Sequence, residues 1–170
     1  MKPLFLLRHA KSSWDDPGLD DHDRPLAPRG LRASALIADH LSRNRIAPAL
    51  VLCSSARRTR ETLDRVSAAL GPAEILIEPD LYGASSEDLL QRLRAVPDEV
   101  ESVMLVGHQP AIQDLALRLA VEGPELGALR GKFPTAALAT LTFEGDWSEL
   151  GQHGAQLAAY VKPKQLKGSA

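Results

Sequence analysis

Polar side chains that could hold an anion follow three apolar runs of the chain. The run "LFLL" leads directly into Arg8 and His9, "PALVLCS" is followed by Arg57 and Arg58, and "SVMLVG" leads into His108. Arginine offers a planar fork of donors to phosphate oxygens. A histidine among cations is driven toward its neutral form, which leaves a ring nitrogen free to attack phosphorus. These residue types predict phosphoryl chemistry rather than acyl or hydride transfer.

Short apolar runs alternate with helical patterns, and these elements position the polar residues. Strands are predicted at Leu4–Leu7 and in "PALVLCS", "AEILIEP" and "ESVMLVGHQP", and "AALATLTFEG" and "AQLAAYVKP" are predicted to form a final antiparallel pair. In the intervening helix "PRGLRASALIADHLSRN", the apolar face is expected to carry Leu31, Ala35, Ala38 and Leu41. Repeated strand-helix-strand order predicts an α/β three-layer sandwich with a mostly parallel central sheet of about six strands.

The predicted sheet determines where the polar residues meet. Ligands of such sheets bind beyond the carboxyl ends of the strands, near a switch in strand order. The first, second and fourth strands end beside Arg8 and His9, beside Arg58, and beside His108. If these strand ends are neighbours, the cations, both histidines and the N-termini of the following helices converge on one anion-binding crevice.

Length and composition limit the class of protein. Residues 1–170 are expected to form one domain, with 162–170 as a frayed tail. A net charge of -2 and an aromatic content of 4% argue against a nucleic-acid partner. No apolar stretch approaches the roughly 20 residues of a membrane span, no signal peptide is recognisable, and the lone Cys53 cannot form an internal disulfide. A cytoplasmic location without a membrane partner is therefore expected.

Two segments resemble cofactor sites only in composition. "DDHDRPL" places carboxylates and His22 next to one another, which is typical of a solvated loop rather than a metal site. "GALRGK" has one residue too few between its glycines for a phosphate-binding loop, and Phe133 stands where Ser or Thr would hold magnesium. We therefore expect no metal and no organic cofactor, and we interpret His22, His40 and His153 as surface residues.

The polar motifs together resemble a known family. "LLRHA", "SSARRTRET" and "VGHQP" are similar to the three motifs of the histidine phosphatase (phosphoglycerate mutase-like) superfamily, and "RHAK", "DRPLAPRG" and "FPTAALATL" most resemble its SixA-type phosphohistidine phosphatase branch. The resemblance extends from Leu4 to about Val161. It implies a phosphoglycerate mutase-like fold, His9 as the nucleophile that becomes phosphorylated, and Arg8, Arg58 and His108 as ligands of the phosphoryl oxygens.

The second motif departs from the family pattern at two positions. Ser55 replaces the common proline and Thr59 the common alanine, while the spacing from Ser54 to Thr62 is kept. That spacing assigns the family arginine to Arg58 rather than Arg57, which is expected to be mainly a solvated helix residue.

Ser12 and Asp15 follow the first motif, and they are candidates for phosphate contacts or for ordering the loop. Whether the loop from Lys11 to Pro28 folds over the site is left open.

The proton donor has no clear equivalent in this chain. Mutase-type relatives carry a glutamate, whereas in "EPDLYGASSEDLL" Asp80 is the best candidate by position and Glu87 the second. Imidazole leaves phosphorus more readily than an alkoxide does, so a weak acid site favours a phosphorus-nitrogen bond in the substrate. The short connection to the fourth strand also leaves no room for a lid, and an open pocket could accept a side chain of another protein.

These observations predict a metal-independent phosphatase that works through a phosphohistidine intermediate. The favoured substrate is phosphohistidine on a signalling protein of the histidine-phosphotransfer type. The alternatives are a phosphatase of small phosphomonoesters such as sugar or nucleotide phosphates, and a non-catalytic module that binds phosphorylated partners. Mutase activity would need the missing glutamate and a closing segment.

Overall fold

The computed structural model describes residues 1–167, and a seven-stranded sheet lies at the centre of this part of the chain. The strands are β1 (Lys2–Arg8), β2 (Leu50–Ser54), β3 (Glu74–Glu78), β4 (Val103–Gly107), β5 (Ala120–Glu122), β6 (Leu138–Phe143) and β7 (Ala155–Val161). The helices are α1 (Pro28–Arg43), α2 (Arg57–Leu70), α3 (Ser86–Arg94), α4 (Ala111–Leu119) and α5 (Leu126–Gly131). None of these helices is both long and apolar enough to cross a membrane.

The strand order across the sheet is β3-β2-β4-β1-β6-β7-β5. Strands β1 to β4 run parallel, β6 is antiparallel to both of its neighbours, and β5 is parallel to β7. The mostly parallel α/β sheet and the antiparallel pair β6 and β7 are thus confirmed. Strand β5 was not predicted, because its three residues continue the helical pattern of α4 without a turn signal between them.

Alternating side chains of the sheet fill two separate cores. On β1, Leu4 and Leu6 face the core that includes α3, α4 and α5, whereas Phe5 and Leu7 face the core that includes α1 and α2. Successive residues of a strand point to opposite faces, so a buried strand must be apolar on both sides. The chain therefore has the expected three layers, with helices covering both faces of the sheet.

The buried face of α1 is the predicted one only in part. Leu41 is buried and Leu31 and Ala38 pack against the same core, but Ala35 is exposed, and the other buried residues are Gly30, Ser34 and Ile37. The reason is close packing against the loop after β1, because a Cβ atom on Gly30 would lie 2.1 Å from the carbonyl oxygen of Lys11. The small residues Gly30 and Ser34 thus determine which face of α1 is buried, and the apolar pattern alone does not show this. The contact holds α1 against the segment that follows Arg8 and His9.

The expectation of a frayed tail over residues 162–170 is wrong for most of that segment. Pro163–Leu166 forms a 3-10 turn that packs against α1. Pro163 is buried, and Leu166 packs against the core beneath α1 and α2. These apolar contacts order the segment despite its three lysines, and only residues 168–170 lie outside the described part of the chain.

The carboxyl ends of three strands form one edge of the fold. Strand β4 lies between β1 and β2, with Arg8 opposite Gly107 and Cys53 opposite Val106. The residues that follow these strands therefore start within one strand spacing of each other. This is the adjacency that an anion-binding crevice requires.

Candidate active site

The two histidines of the sequence motifs lie side by side at this edge. The backbone N–H of His9 donates to the Gly107 carbonyl at 3.1 Å, which ties the end of β1 to the end of β4. The ring centroids of His9 and His108 are 5.4 Å apart, with an angle of 53° between the ring planes. His9 is only 7% exposed, so its ring is largely shielded from bulk water.

The hydrogen bond of His9 determines which ring nitrogen is available for chemistry. Its Nδ1 lies 2.7 Å from the Ala10 carbonyl oxygen. A carbonyl oxygen only accepts, so Nδ1 carries the hydrogen and donates it, and Nε2 of the neutral ring keeps its lone pair. Burial lowers the pKa of His9 to about 3, against the smaller opposing effect of the Ala10 bond. His108, Arg8 and Arg58 lower it further. The ring is therefore neutral at neutral pH, with an unprotonated Nε2.

His108 is oriented by the serine that ends β2. Its Nε2 is hydrogen-bonded to the Ser54 hydroxyl at 2.7 Å, and the Ser54 oxygen accepts a hydrogen bond from the Ala56 N–H at 3.3 Å. Burial lowers the pKa of His108 to about 4, and Arg58 lowers it further, while Asp21 acts in the opposite direction. His108 is therefore also neutral at neutral pH. It can donate a hydrogen bond to a phosphoryl oxygen without adding a positive charge to the site.

Two arginines supply the positive charge of the site. Arg8 donates from Nη1 to the Phe133 carbonyl at 2.9 Å, and its Nε is buried without a hydrogen-bond partner within residues 1–167. Burial and the charge of Arg58 lower the pKa of Arg8. An unpaired buried donor costs roughly 1–3 kcal/mol, and an anionic oxygen at this position would remove that cost. Arg57 points elsewhere, and its Nε pairs with Glu61 on the exposed side of α2 at 3.1 Å.

Arg58 is held by the loop that follows β1. Its side chain is 10% exposed and donates from Nη1 to the backbone oxygen of Asp21 at 2.8 Å and from Nη2 to the Asp21 carboxylate at 3.0 Å. The loop from Lys11 to Pro28 thus reaches the site. The buried Ser12 hydroxyl accepts a hydrogen bond from Arg24 within this loop, whereas Asp15 is exposed and its carboxylate forms no hydrogen bond or ion pair with residues 1–167. Of the two roles considered for Ser12, loop ordering is the one its contacts support.

The two candidate proton donors do not contact the four motif residues. Asp80 is exposed in a 3-10 turn (Pro79–Leu81), and its carboxylate has no hydrogen bond or ion pair with any described residue. Glu87 lies on the exposed first turn of α3 and pairs with Arg118. The structure therefore places neither carboxylate in contact with His9, His108, Arg8 or Arg58.

Three residues of the site were missed by the sequence analysis. The Tyr82 hydroxyl donates to the Asp21 carboxylate at 2.7 Å, and the Tyr82 ring lies 5.7 Å from the His108 ring. His22 packs edge-on against Tyr82 at 4.8 Å, and its Nε2 is 2.8 Å from the Ser55 hydroxyl. The His22 side chain is 37% exposed, so it does lie near the surface, but these two contacts make it part of the site, which the interpretation as a surface residue did not anticipate. The acidic segment "DDHDRPL" was the available signal, but its composition alone indicated a solvated loop.

A neutral imidazole with a free Nε2, set among arginines at the edge of a parallel sheet, is suited to attack on phosphorus. Fold and site thus define a phosphoryl-transfer protein of the α/β class. The model of the histidine phosphatase superfamily (branch 1) matches residues 4–89, and the chain belongs to this superfamily. It is a phosphohydrolase of the SixA-type branch.

Three similar proteins illustrate this relationship. An uncharacterized protein of Mycobacterium tuberculosis is 36% identical over 93% of this chain and 100% of its own length. A protein proposed to be the phosphohistidine phosphatase SixA of Nakamurella multipartitia superposes with a TM-score of 0.85 at 31% identity, covering 95% of this chain and 96% of that chain. The protein histidine phosphatase SixA complexed with tungstate gives a TM-score of 0.79 at 28% identity, covering 97% and 99%.

The two buried histidines should resist protonation far below the ordinary pKa of 6.5. Since a lowered pKa means that the neutral form persists to lower pH, the rings of His9 and His108 should show no titration between pH 8 and pH 5. Ring 13Cε1 and 15N chemical shifts followed by NMR will measure this, with the His9→Ala variant assigning the resonance. A His9 midpoint near pH 6.5 would contradict the account of burial among cations.

Proposed function

We propose that the protein is a metal-independent phosphatase that works through a phosphohistidine intermediate on His9, and that its substrate is phosphohistidine on another protein. The observation that carries this proposal is the tautomer of His9. With Nδ1 donating to the Ala10 carbonyl at 2.7 Å and a pKa of about 3, the ring offers an Nε2 lone pair beside His108. An activated nucleophile of this kind splits phosphate transfer into two easier steps.

In the first step Nε2 of His9 attacks phosphorus. The Nε2–P bond forms while the bond between phosphorus and the substrate nitrogen breaks, and the bonding electron pair leaves with the substrate imidazole, which takes a proton from solvent. Arg8 and Arg58 hold the negative charge on the equatorial oxygens. A ring N–H of His108 donates a hydrogen bond to one of the same oxygens. The arginines thus supply the positive charge that a metal ion supplies in other phosphatases.

In the second step water releases the phosphate. The water oxygen bonds to phosphorus, the Nε2–P bond breaks, and its electron pair returns to Nε2 of His9. The protons of the water end on phosphate or in solvent, so the products are inorganic phosphate and the neutral His9 with which the cycle began. The Ala10 carbonyl holds Nδ1–H throughout, so the same nitrogen serves in every turnover.

The carboxylates near the site support a substrate with a phosphorus-nitrogen bond. Asp80 is exposed and has no contact with the site histidines, and Asp21 is ionised because Tyr82, Arg24 and Arg58 hold its pKa at about 2. A phosphomonoester expels an alkoxide, which benefits from a proton donor, whereas an imidazole leaves as a neutral base once protonated. The similarity to the protein histidine phosphatase SixA supports a phosphorylated protein of the histidine-phosphotransfer type as the partner.

A substrate panel tests the proposal. We expect kcat/KM on a phosphohistidine-bearing phosphotransfer domain to exceed that on sugar and nucleotide monophosphates by about 100-fold or more, the usual contribution of a general acid. Hydrolysis should be unchanged by a metal chelator. Enzyme-free samples correct for spontaneous loss of phosphohistidine. A preference for phosphomonoesters would instead identify a small-molecule phosphatase, and inhibition by the chelator would refute metal independence.

A further inference from the structure

Asp21 forms hydrogen bonds with three side chains around the site, and the proposed mechanism gives it no role. Its carboxylate accepts hydrogen bonds from Arg24 at 2.9 Å, Arg58 at 3.0 Å and the Tyr82 hydroxyl at 2.7 Å. Its backbone oxygen accepts a further bond from Arg58 at 2.8 Å. One residue of the loop after β1 therefore engages both terminal nitrogens of the arginine that is proposed to hold the phosphoryl group.

The geometry of these bonds fixes the guanidinium of Arg58. A guanidinium has five N–H groups, and Asp21 takes one on Nη1 and one on Nη2, which leaves three for oxygens of the transferred group. A free arginine side chain has many rotamers, and this conformational entropy must be lost when the group is ordered. Because Asp21 orders Arg58 before substrate binds, the loss of side-chain entropy does not add to the activation free energy of the reaction.

The remaining partners of Asp21 hold the carboxylate itself in place. Arg24 is buried and also donates from Nε to the Ser13 carbonyl at 3.0 Å, which anchors it within the loop. Tyr82 comes from the opposite side, after β3, and its ring packs against His108. Loop, tyrosine and arginine therefore form one network around Asp21, which we call the Asp21 network (Ser13, Asp21, Arg24, Arg58 and Tyr82).

The charge state of Asp21 excludes proton donation as its role. The Tyr82 hydrogen bond is the largest cause that holds the pKa of Asp21 at about 2, and the bonds from Arg24 and Arg58 act in the same direction. A carboxylate that stays ionised accepts hydrogen bonds but has no proton to give at neutral pH. Its negative charge also opposes the binding of a phosphate dianion. It can therefore assist turnover by orienting Arg58, at some cost to substrate affinity.

We propose that Asp21 is a positioning residue that holds Arg58 in the orientation needed in the transition state, with Tyr82 and Arg24 holding Asp21. This inference rests on the proposed function, because it assigns Arg58 to the phosphoryl group. It predicts a specific kinetic signature: loss of the Asp21 charge lowers kcat without raising KM, since Arg58 becomes less ordered while the repulsion of the substrate is removed.

The test compares Asp21→Asn with the matched control Asp20→Asn. This control makes the same charge change at an exposed neighbour whose carboxylate forms no hydrogen bond or ion pair within the described part of the chain. With an aryl phosphate, Asp21→Asn should lower kcat about 10- to 100-fold, the range expected for a misplaced catalytic group, with KM unchanged or lower. Inorganic phosphate, which probes affinity for the ground state, should inhibit it at least as strongly as it inhibits wild type. Asp20→Asn should stay within twofold of wild type.

Other outcomes overturn the inference. An Asp21→Asn variant with unchanged kcat, or with raised KM and weaker inhibition by inorganic phosphate, would show that Asp21 does not act through the orientation of Arg58. If Asp21→Asn does not fold, Tyr82→Phe removes one support of the carboxylate and should lower kcat severalfold with KM unchanged, and an unchanged kcat there overturns the inference as well. Wild-type turnover in the same assay tests the proposed function separately. If the wild-type enzyme shows no turnover, the proposed function fails, whereas an active wild type with an equally active Asp21→Asn variant overturns only this inference.

Discussion

His9→Ala is expected to lower kcat by about 10,000-fold or more, because it removes the nucleophile on which both chemical steps depend. The loss should be equally severe on a phosphohistidine protein and on an aryl phosphate, since both must pass through the same intermediate. Steady-state turnover measures it. The matched control is His153→Ala, which removes an exposed histidine outside the site and should retain full activity.

The same variant should remain folded. His9 makes one side-chain hydrogen bond, to the adjacent Ala10 carbonyl, so its removal leaves the pairing of β1 with β4 and β6 intact. Equal far-UV circular dichroism and thermal midpoints for His9→Ala and wild type would assign the lost turnover to chemistry. Turnover near the wild-type value would contradict the assignment of His9 as nucleophile.

Arg58→Ala is expected to lower kcat by about 100- to 1,000-fold, the usual effect of removing one preorganised donor from a developing anion. Its neighbour Arg57 provides the matched control, because both residues lie on the first turn of α2 and only Arg58 is buried at the site. Arg57→Ala loses an exposed pair with Glu61 and should change kcat less than threefold. Steady-state kinetics on an aryl phosphate compares the two.

The outcome of the arginine pair also tests the assignment by motif spacing. If Arg57→Ala reduced kcat more than Arg58→Ala, the count from Ser54 to Thr62 would have selected the wrong arginine. Arg58→Lys provides a further comparison, because lysine keeps the charge but lacks the planar fork that binds Asp21 and phosphate at the same time. It should recover only a small part of the lost turnover.

Much of the fold was predictable because it depends on local patterns. Apolar runs of four to seven residues in β1, β2 and β4 are buried on both faces, and this pattern is visible in sequence. The sequence indicated four candidate residues because each lies at or just beyond the carboxyl end of a strand, or in the first turn of the helix that follows that strand. These residues are Arg8, His9, Arg58 and His108. Their position in the sequence therefore indicates their position in the fold.

Other features of the fold depend on contacts that periodicity does not encode. The buried face of α1 is set by the approach of Gly30 to Lys11, and β5 is too short to be distinguished from the end of α4. The ordered turn at Pro163–Leu166 depends on apolar contacts with distant residues beneath α1. In each case a tertiary contact decides what the local sequence leaves open.

The residues missed at the site have the same explanation. Asp21 and Arg58 are 37 positions apart, and Asp21 and Tyr82 are 61 positions apart, so no local spacing connects them. The segment around Asp21 is almost entirely charged, and such segments usually remain solvated. Asp80 was chosen as proton donor by its position after β3, but in that turn it is Tyr82 that reaches the site.

The central claim is that phosphate passes through Nε2 of His9. The most direct test is to mix the enzyme with a radiolabelled phosphoryl donor, quench at alkaline pH to preserve phosphohistidine, and map the labelled peptide. The account predicts label on the peptide that contains His9, bonded to Nε2 as judged by 31P NMR, and no label in His9→Ala. Label on any other residue, or single-turnover release of phosphate without a labelled enzyme, would contradict it.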